Sequence, residues 1–270
     1  MSSEKPEFLP QDFAEIIAIP EIPFPELEDE KLILIGGQAV NLWSQIYAPT
    51  LPALQAFTPY ASIDADLFGS MGAASMLAQR HDWEFITFPD KDSFTGEPNP
   101  ESVRSAVLKK TTSGGDHLEV DILWDVPGLT FHELKKPIKL EFEPNKYCLV
   151  APPAVLLKAK ITNLVEFSGY RGDGSRRNDL KHVQMLSLIC PHHIQAMTQG
   201  IGTGTITEQS VIDELAYLHS VVNSADASRA AIRFDVQLKQ AFPKKLEGAE
   251  QHPNLSACLA KLTQRRCSSR

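Results

Sequence analysis

The decapeptide ASIDADLFGS (residues 61–70) places two aspartates, Asp64 and Asp66, inside an otherwise apolar stretch. The apolar residues are typical of a short β-strand that ends at Gly69. Residues i and i+2 of a strand point to the same face, so the two carboxylates would stand side by side and repel each other. Metal binding would account for such a pair, and a turn or a sheet edge is the simpler alternative.

A third acid, Asp121, lies in the segment HLEVDILW between Val120 and Ile122. If this predicted strand neighbours the first one, three carboxylates form an oxygen-rich site that suits Mg²⁺ or Mn²⁺. Two such ions about 3.5–4 Å apart can stabilise the attacking and leaving oxygens of a phosphoryl or nucleotidyl transfer. We therefore predict a two-ion site in which the catalytic and metal-binding residues are Asp64, Asp66 and Asp121.

The segment KLILIGG (residues 31–37) reads as a buried strand that stops at Gly36 and Gly37. The next ten residues, QAVNLWSQIY, have the apolar spacing of a helix. Glycines between a strand and a helix leave backbone N–H groups facing outward, and such groups bind phosphate. A Gly-Gly pair after a strand is also a routine turn.

The remaining pattern indicates an α/β protein with a mixed sheet, followed by a C-terminal α-helical domain. A helix is predicted over residues 70–81 and further strands in WEFITF, SVRSAVLKK, KPIKLEF and KYCLVA. From Pro152 onward the pattern is helical. Three parts are therefore expected: an N-terminal arm (1–30), an α/β domain (31–150) and a helical domain (151–270).

Composition narrows the class of protein. Of 270 residues, 26 are Lys or Arg and 34 are Asp or Glu, and the net charge of −8 argues against a general nucleic-acid coat. The four cysteines contain no C-x-x-C pair, and no apolar run approaches the roughly 20 residues of a membrane helix. We expect a cytoplasmic protein without a membrane partner.

The tetrapeptide Cys190-Pro191-His192-His193 has metal-binding residue types but lacks a second ligand pair at zinc spacing. A loop at the end of a helix is the prediction for this segment.

The order of Gly-Gly before a helix, a strand with D-x-D and a later strand with one acid resembles the DNA polymerase β-type nucleotidyltransferase superfamily. Within it, the chain is similar to the minimal nucleotidyltransferases of the AbiEii-like abortive-infection toxin group. Residues 31–125 carry the resemblance, and LLKAKITNL and RRNDLKHV extend it more weakly. It implies that Asp64 and Asp66 hold both metals, and that Asp121 holds the second metal on the nucleophile side.

The resemblance also implies a nucleotide site and partners. Gly36 and Gly37, with Gln38, would bind the triphosphate of an NTP, Lys160 would reach its phosphates, and Asp179 would support the nucleotide or substrate groove. It further implies an antitoxin as a candidate partner.

Three departures from the family pattern concern nucleotide and acceptor choice. Gln38 stands where many relatives have serine, residues 48–61 read as an insertion, and His182 replaces a second acid. Lys158 and Lys160 could also be the solvated side of an amphipathic helix. Being two residues apart, they do not share a helix face, so at most one serves the site.

The predicted reaction is transfer of a nucleoside monophosphate from an NTP to an acceptor, with release of pyrophosphate. The acceptor could be RNA, a protein or a small molecule, and the basic segment 169–182 is where RNA would bind. The alternative is a non-catalytic protein that keeps the fold and binds a nucleotide or a partner. Three mutually repelling acids favour the enzyme, because a protein without the reaction has no physical need for them.

Overall fold

An eight-stranded mixed β-sheet organises the described residues, which are 6–20, 31–88, 103–167 and 177–267 of the computed structural model. The strand order is β1-β8-β2-β3-β6-β5-β4, and β7 pairs with β8. The β2–β8 and β3–β6 pairs are parallel and the others are antiparallel. The strands are β1 (Ile19–Pro20), β2 (Leu32–Ile35), β3 (Ala65–Gly69), β4 (Glu84–Thr87), β5 (Arg104–Thr111), β6 (His117–Leu123), β7 (Ile138–Glu143) and β8 (Lys146–Val150).

Helices connect the strands and make up the chain after the sheet. The predicted class, a mixed α/β sheet followed by helices, is confirmed. Among the described residues, no helix has both the length and the hydropathy to cross a membrane. The helices are α1 (Ala14–Ile17), α2 (Gly36–Tyr47), α3 (Met71–His81), α4 (Phe131–Leu134), α5 (Pro153–Glu166), α6 (Asp179–Gly202), α7 (Glu208–Val222), α8 (Ala225–Phe234) and α9 (Pro253–Cys267).

Helix α2 joins the sheet to the helices that follow it. Every residue from 37 to 44 is buried, as expected of a helix covered on all sides. It packs on β2 and β3 and also on α5 and α6. The indole N–H of Trp43 donates to the carbonyl of Ala151, 3.0 Å away, at the end of the sheet. One apolar core runs through the chain on both sides of residue 150. The division into two domains at that residue stays a prediction.

The described part of the N-terminal arm, residues 6–20, is packed into the same core. Phe13 and Ile16 are buried, and β1 pairs with β8. The backbone of Phe8 exchanges hydrogen bonds with that of Ser62. The short helix α1 also lies in this arm.

The segment 190–193 is not a loop, and that prediction is wrong. Helix α6 continues through Pro191 to Gly202. A proline inside a helix costs about 3 kcal/mol, but burial of the neighbours opposes that cost. Cys190 and Ile194 are buried, and the ring of His193 packs edge-on against Trp43 and accepts or donates a hydrogen bond with the Tyr47 hydroxyl.

The short helix α4 fastens the connection between β6 and β7 to the helices through Glu133. Its Oε1 atom accepts hydrogen bonds from Lys158 Nζ (2.7 Å) and the Tyr217 hydroxyl (2.6 Å), and its Oε2 atom accepts one from the Thr130 N–H (2.7 Å). Burial alone would raise the pKa of Glu133. The bonds from Lys158 and Tyr217 outweigh burial and lower the pKa to about 2.

The Glu133→Gln variant should lower the free energy of unfolding at pH 7 by about 1–3 kcal/mol, the cost of losing a charge-assisted contact. Because the folded pKa is depressed from 4.5 to about 2, the stabilisation is present above pH 4.5 and is lost as pH falls toward 2. Urea unfolding at pH 7 and near pH 3 should therefore show a smaller difference between wild type and variant at the lower pH.

The matched control is Glu143→Gln. Glu143 pairs with Lys146 in a half-exposed hairpin, and pairs near the surface contribute about 0–1 kcal/mol. Equal effects of the two substitutions would show that Glu133 is an ordinary surface acid.

Candidate metal and nucleotide site

Three carboxylates meet where β3 and β6 run parallel in the middle of the sheet. Asp66 is the register partner of Asp121, and Asp64 comes directly before β3. One oxygen from each side chain lies within 4.8 Å of the other two. Asp64 and Asp121 are only 7% and 5% exposed. The expectation that the two strands are neighbours is confirmed.

The first residue of α2, Gly36, lies so close to this cluster that a side chain would not fit there. Its φ is +67°, a region that favours glycine, and an added Cβ would lie 1.7 Å from Asp66 Oδ2. Ile35, the last residue of β2, is the register partner of Asp66, so the strand delivers the helix N-terminus to the carboxylates. The positive end of the α2 dipole stabilises negative charge there.

The carboxyl group of Asp121 is buried beside two other acids. Burial raises its pKa well above the usual range, and the charges of Asp66 and Asp64 raise it further. Arg104 opposes this shift, because its Nη2 atom donates a 2.7 Å hydrogen bond to Asp121 Oδ2. The sequence position of Arg104 did not indicate this contact.

The donor set fits a hard divalent cation. All three groups offer carboxylate oxygen, which Mg²⁺ and Mn²⁺ prefer. Around one octahedral Mg²⁺, opposite oxygens are about 4.2 Å apart and neighbouring oxygens about 3 Å apart, so this set, whose oxygens lie within 4.8 Å of one another, would draw closer together on a single ion. An ion would also offset the mutual repulsion of buried like charges. The cluster could therefore hold a metal ion, and the prediction of two ions stays a prediction.

Two residues predicted to bind nucleotide, Lys160 and Asp179, form a second cluster. Lys160 Nζ lies 3.2 Å from Asp179 Oδ1, and Arg177 Nε donates to Asp179 Oδ2 at 2.6 Å. Burial alone would raise the pKa of Asp179. The charges of Lys160 and Arg177 outweigh it and hold the pKa well below its usual range. His182, one turn further along α6, also lowers it.

The second cluster approaches the first through the start of α2. A Cβ added at Gly37 would lie 2.8 Å from Ser62 Oγ and 3.2 Å from His182 Cε1. His182 on α6 therefore sits against Gly37, the residue that follows Gly36. Ser62 was not predicted as a member of the site, and His182 was named only as the replacement of a family acid, because the contacts of both residues depend on packing between distant segments.

Lys158 and Gln38 serve other contacts. Lys158 pairs with Glu133 rather than with Asp179, so the two lysines of α5 have different partners. The side-chain amide of Gln38 is fully buried and donates to the Phe8 carbonyl at 2.8 Å. Gln38 could therefore bind phosphate only through its backbone N–H. This N–H belongs to the first turn of α2 and so has no partner within the helix.

Much of the basic segment predicted to bind RNA (169–182), namely residues 169–176, lies outside the described residues. Arg177, at its end, bonds Asp179 and lies over the Phe167 ring, with 5.2 Å between its guanidinium carbon and the ring centroid. Lys181 donates to the Pro59 carbonyl. These two cations have intramolecular partners, which their sequence positions did not indicate.

No protein-family model matches the chain, and no curated protein matches it. Among solved structures, it is similar to an antigenic nucleotidyltransferase-like protein from Paracoccidioides brasiliensis. The identity is 15%, the TM-score is 0.42, and the match covers 80% of this chain and 87% of that chain. Similarity at this level does not establish a shared activity.

Asp66→Asn should leave the metal-free protein as stable as wild type or more stable near pH 8. The raised folded pKa of Asp121 means that stability is greatest below its unfolded pKa of about 4 and is lost as pH rises toward the folded pKa. Removing the charge of Asp66 lowers the pKa of Asp121 and so reduces that loss. Thermal unfolding with a chelator at pH 5 and pH 8 measures both proteins.

The control is Asp116→Asn in the exposed turn between β5 and β6, for which we expect no change in the pH dependence. An Asp66→Asn protein that is less stable than wild type at both pH values would instead indicate a structural hydrogen-bonding role for Asp66.

Proposed function

We propose that this protein is a metal-dependent nucleotidyltransferase that moves a nucleoside monophosphate from an NTP to an acceptor. The observation that carries the proposal is the convergence of Asp64, Asp66 and Asp121 beside Gly36, at the start of a helix. Carboxylates can hold a divalent cation and a helix N-terminus can bind phosphate, and nucleotidyl transfer can use both.

In the proposed site, Asp64, Asp66 and Asp121 hold the metal. A bound divalent ion would neutralise charge on the phosphates and on the attacking and leaving oxygens. The protein contributes two buried carboxylates and one half-buried carboxylate, whose positions are set by the β3–β6 register and by the contact of Asp66 with Gly36. Fixed groups need no rearrangement when the reaction occurs.

Asp121 is the proposed proton acceptor. The acceptor's hydroxyl oxygen would form a bond to the α-phosphorus, the bond from that phosphorus to the bridging oxygen would break, and pyrophosphate would leave. The hydroxyl proton would pass to the carboxylate of Asp121, which lies in the cluster. Asp121 is buried within the carboxylate cluster, so it would lie close to an acceptor hydroxyl held at the metal.

The phosphates would lie against the backbone N–H groups at the start of α2, with Lys160 as the positively charged side chain. Support comes from the position of His182, which links Gly37 to the cluster of Lys160 and Asp179. In this proposal Asp179 positions Lys160 through their 3.2 Å ion pair.

Finer assignments stay predictions. They are membership in the AbiEii-like toxin group, an antitoxin partner, RNA as the acceptor, two bound ions and a cytoplasmic location. The alternative proposal, a non-catalytic protein that binds a nucleotide or a partner, uses the same site without the transfer step.

Incubation of the protein with α-labelled NTPs, Mg²⁺ or Mn²⁺ and a mixture of RNA, proteins and small molecules tests the proposal. We expect label on one class of acceptor, and a fall of at least about 100-fold in Asp121→Asn, the usual lower range for loss of a catalytic acid or base. NTP binding without any transfer by wild type would favour the non-catalytic alternative. Full activity in Asp121→Asn would exclude this site.

Lys160→Gln should weaken NTP binding by about 1–3 kcal/mol through loss of a charge-assisted contact. Lys158→Gln is the matched control on the same helix, and it should lower stability through Glu133 with little effect on NTP affinity. Isothermal titration and urea unfolding of both variants separate the two effects. Equal NTP affinities would assign Lys160 to packing alone.

A further inference from the structure

Arg104 forms an ion pair with a carboxylate of the proposed metal site. Its partner, Asp121, is one of the three clustered carboxylates, and the side chain of Asp121 is only 7% exposed, whereas that of Arg104 is 30% exposed. An arginine is charged at all accessible pH values, so it supplies a permanent cation to this acid. A divalent ion at the site would need the same carboxylate.

A β-bulge places Arg104 on the face of the carboxylates. Val107 is opposite Asp121, but Arg104, rather than Ser105, is opposite Leu123. Leu123 is two residues from Asp121 and shares its face. Without the bulge, Ser105 would occupy that face and Arg104 would point to the other side.

Two hydrogen bonds hold the bulge. Ser105 Oγ donates to the Ile122 carbonyl at 2.9 Å, and the N–H of Phe88 donates to the Ser105 carbonyl at 3.0 Å. The bulge is therefore anchored on both of its neighbours, β6 and the end of β4. Bulges next to functional sites commonly re-aim a side chain, and here the re-aimed side chain is the arginine.

A second ion pair between β5 and β6 serves as a comparison for the pair of Arg104 and Asp121. Lys109 and Glu119 are direct register partners, 2.8 Å apart, with side chains 38% and 30% exposed. That pair is an ordinary solvated cross-strand contact. Arg104 differs from Lys109 because its partner is buried and lies among other acids.

We propose that Arg104 is a positioning residue that acts as a resident cation. It balances Asp121 in the metal-free protein and releases or shares that carboxylate when a divalent ion binds. The inference rests on the metal site of the proposed function. It predicts that Arg104 and the ion compete, so that loss of the arginine charge tightens metal binding while it destabilises the metal-free protein.

Mn²⁺ alone, titrated into metal-free protein and followed by electron paramagnetic resonance of the free ion, tests the competition. We expect Arg104→Gln to bind Mn²⁺ about tenfold more tightly than wild type or better, a usual size for coupling between two ligands of one protein. Its metal-free thermal midpoint should fall, and its Mn²⁺-induced shift should exceed that of wild type. Lys109→Gln is the control, and we expect it to change neither the Mn²⁺ affinity nor the Mn²⁺-induced shift of the thermal midpoint.

Arg104→Lys keeps the charge but loses the planar fork of donors, so its Mn²⁺ affinity should lie between those of wild type and Arg104→Gln. This variant keeps the test decisive if Arg104→Gln does not fold without metal. Unchanged or weaker Mn²⁺ binding in the folded Arg104 variants, or no Mn²⁺ binding by any protein, would overturn the inference. If Arg104 competes with Mn²⁺ as described but the wild-type protein transfers no nucleotide, the inference stands and the proposed function is removed.

Discussion

The repulsion between Asp66 and Asp121 is the constraint on which this part of the molecule depends. They are register partners on adjacent parallel strands, and Asp121 is buried. A sheet would place apolar residues at such positions if stability alone mattered. The neighbouring features offset the resulting charge. Gly36 lets a helix N-terminus approach Asp66, and a bulged strand brings Arg104 to Asp121.

Helix α2 connects the carboxylate cluster to the helical part of the chain. Its first residues contact the carboxylates, and its body is buried between the sheet and helices α5 and α6. Gly37 meets His182 of α6, and α6 also carries Asp179, the partner of Lys160 on α5. The same packing explains why α6 tolerates Pro191, because the buried side chains around it fix the helix on α2. The two charged clusters therefore belong to one packed unit.

The sequence allowed the prediction of features that depend on local pattern. Alternation around Asp66 and Asp121 predicts two strands with acids on one face, and the glycines at 36 and 37 predict a strand–helix junction. Features set by contacts between distant segments could not be predicted. The face of Arg104 depends on a bulge defined by cross-strand register, and the partner of Lys158 is an acid 25 residues away. Helix α6 runs through Pro191 against its local preference, because tertiary burial outweighs the cost of the proline.

The central claim is that Asp64, Asp66 and Asp121 form one divalent-metal site. Crystals of the metal-free protein soaked in Mn²⁺ and measured at the manganese absorption edge test it most directly. The account predicts an anomalous peak within about 2.0–2.6 Å of oxygens from these carboxylates, the range for such cations. It is contradicted if saturating Mn²⁺ gives no peak there while Asp121 remains bonded to Arg104 alone.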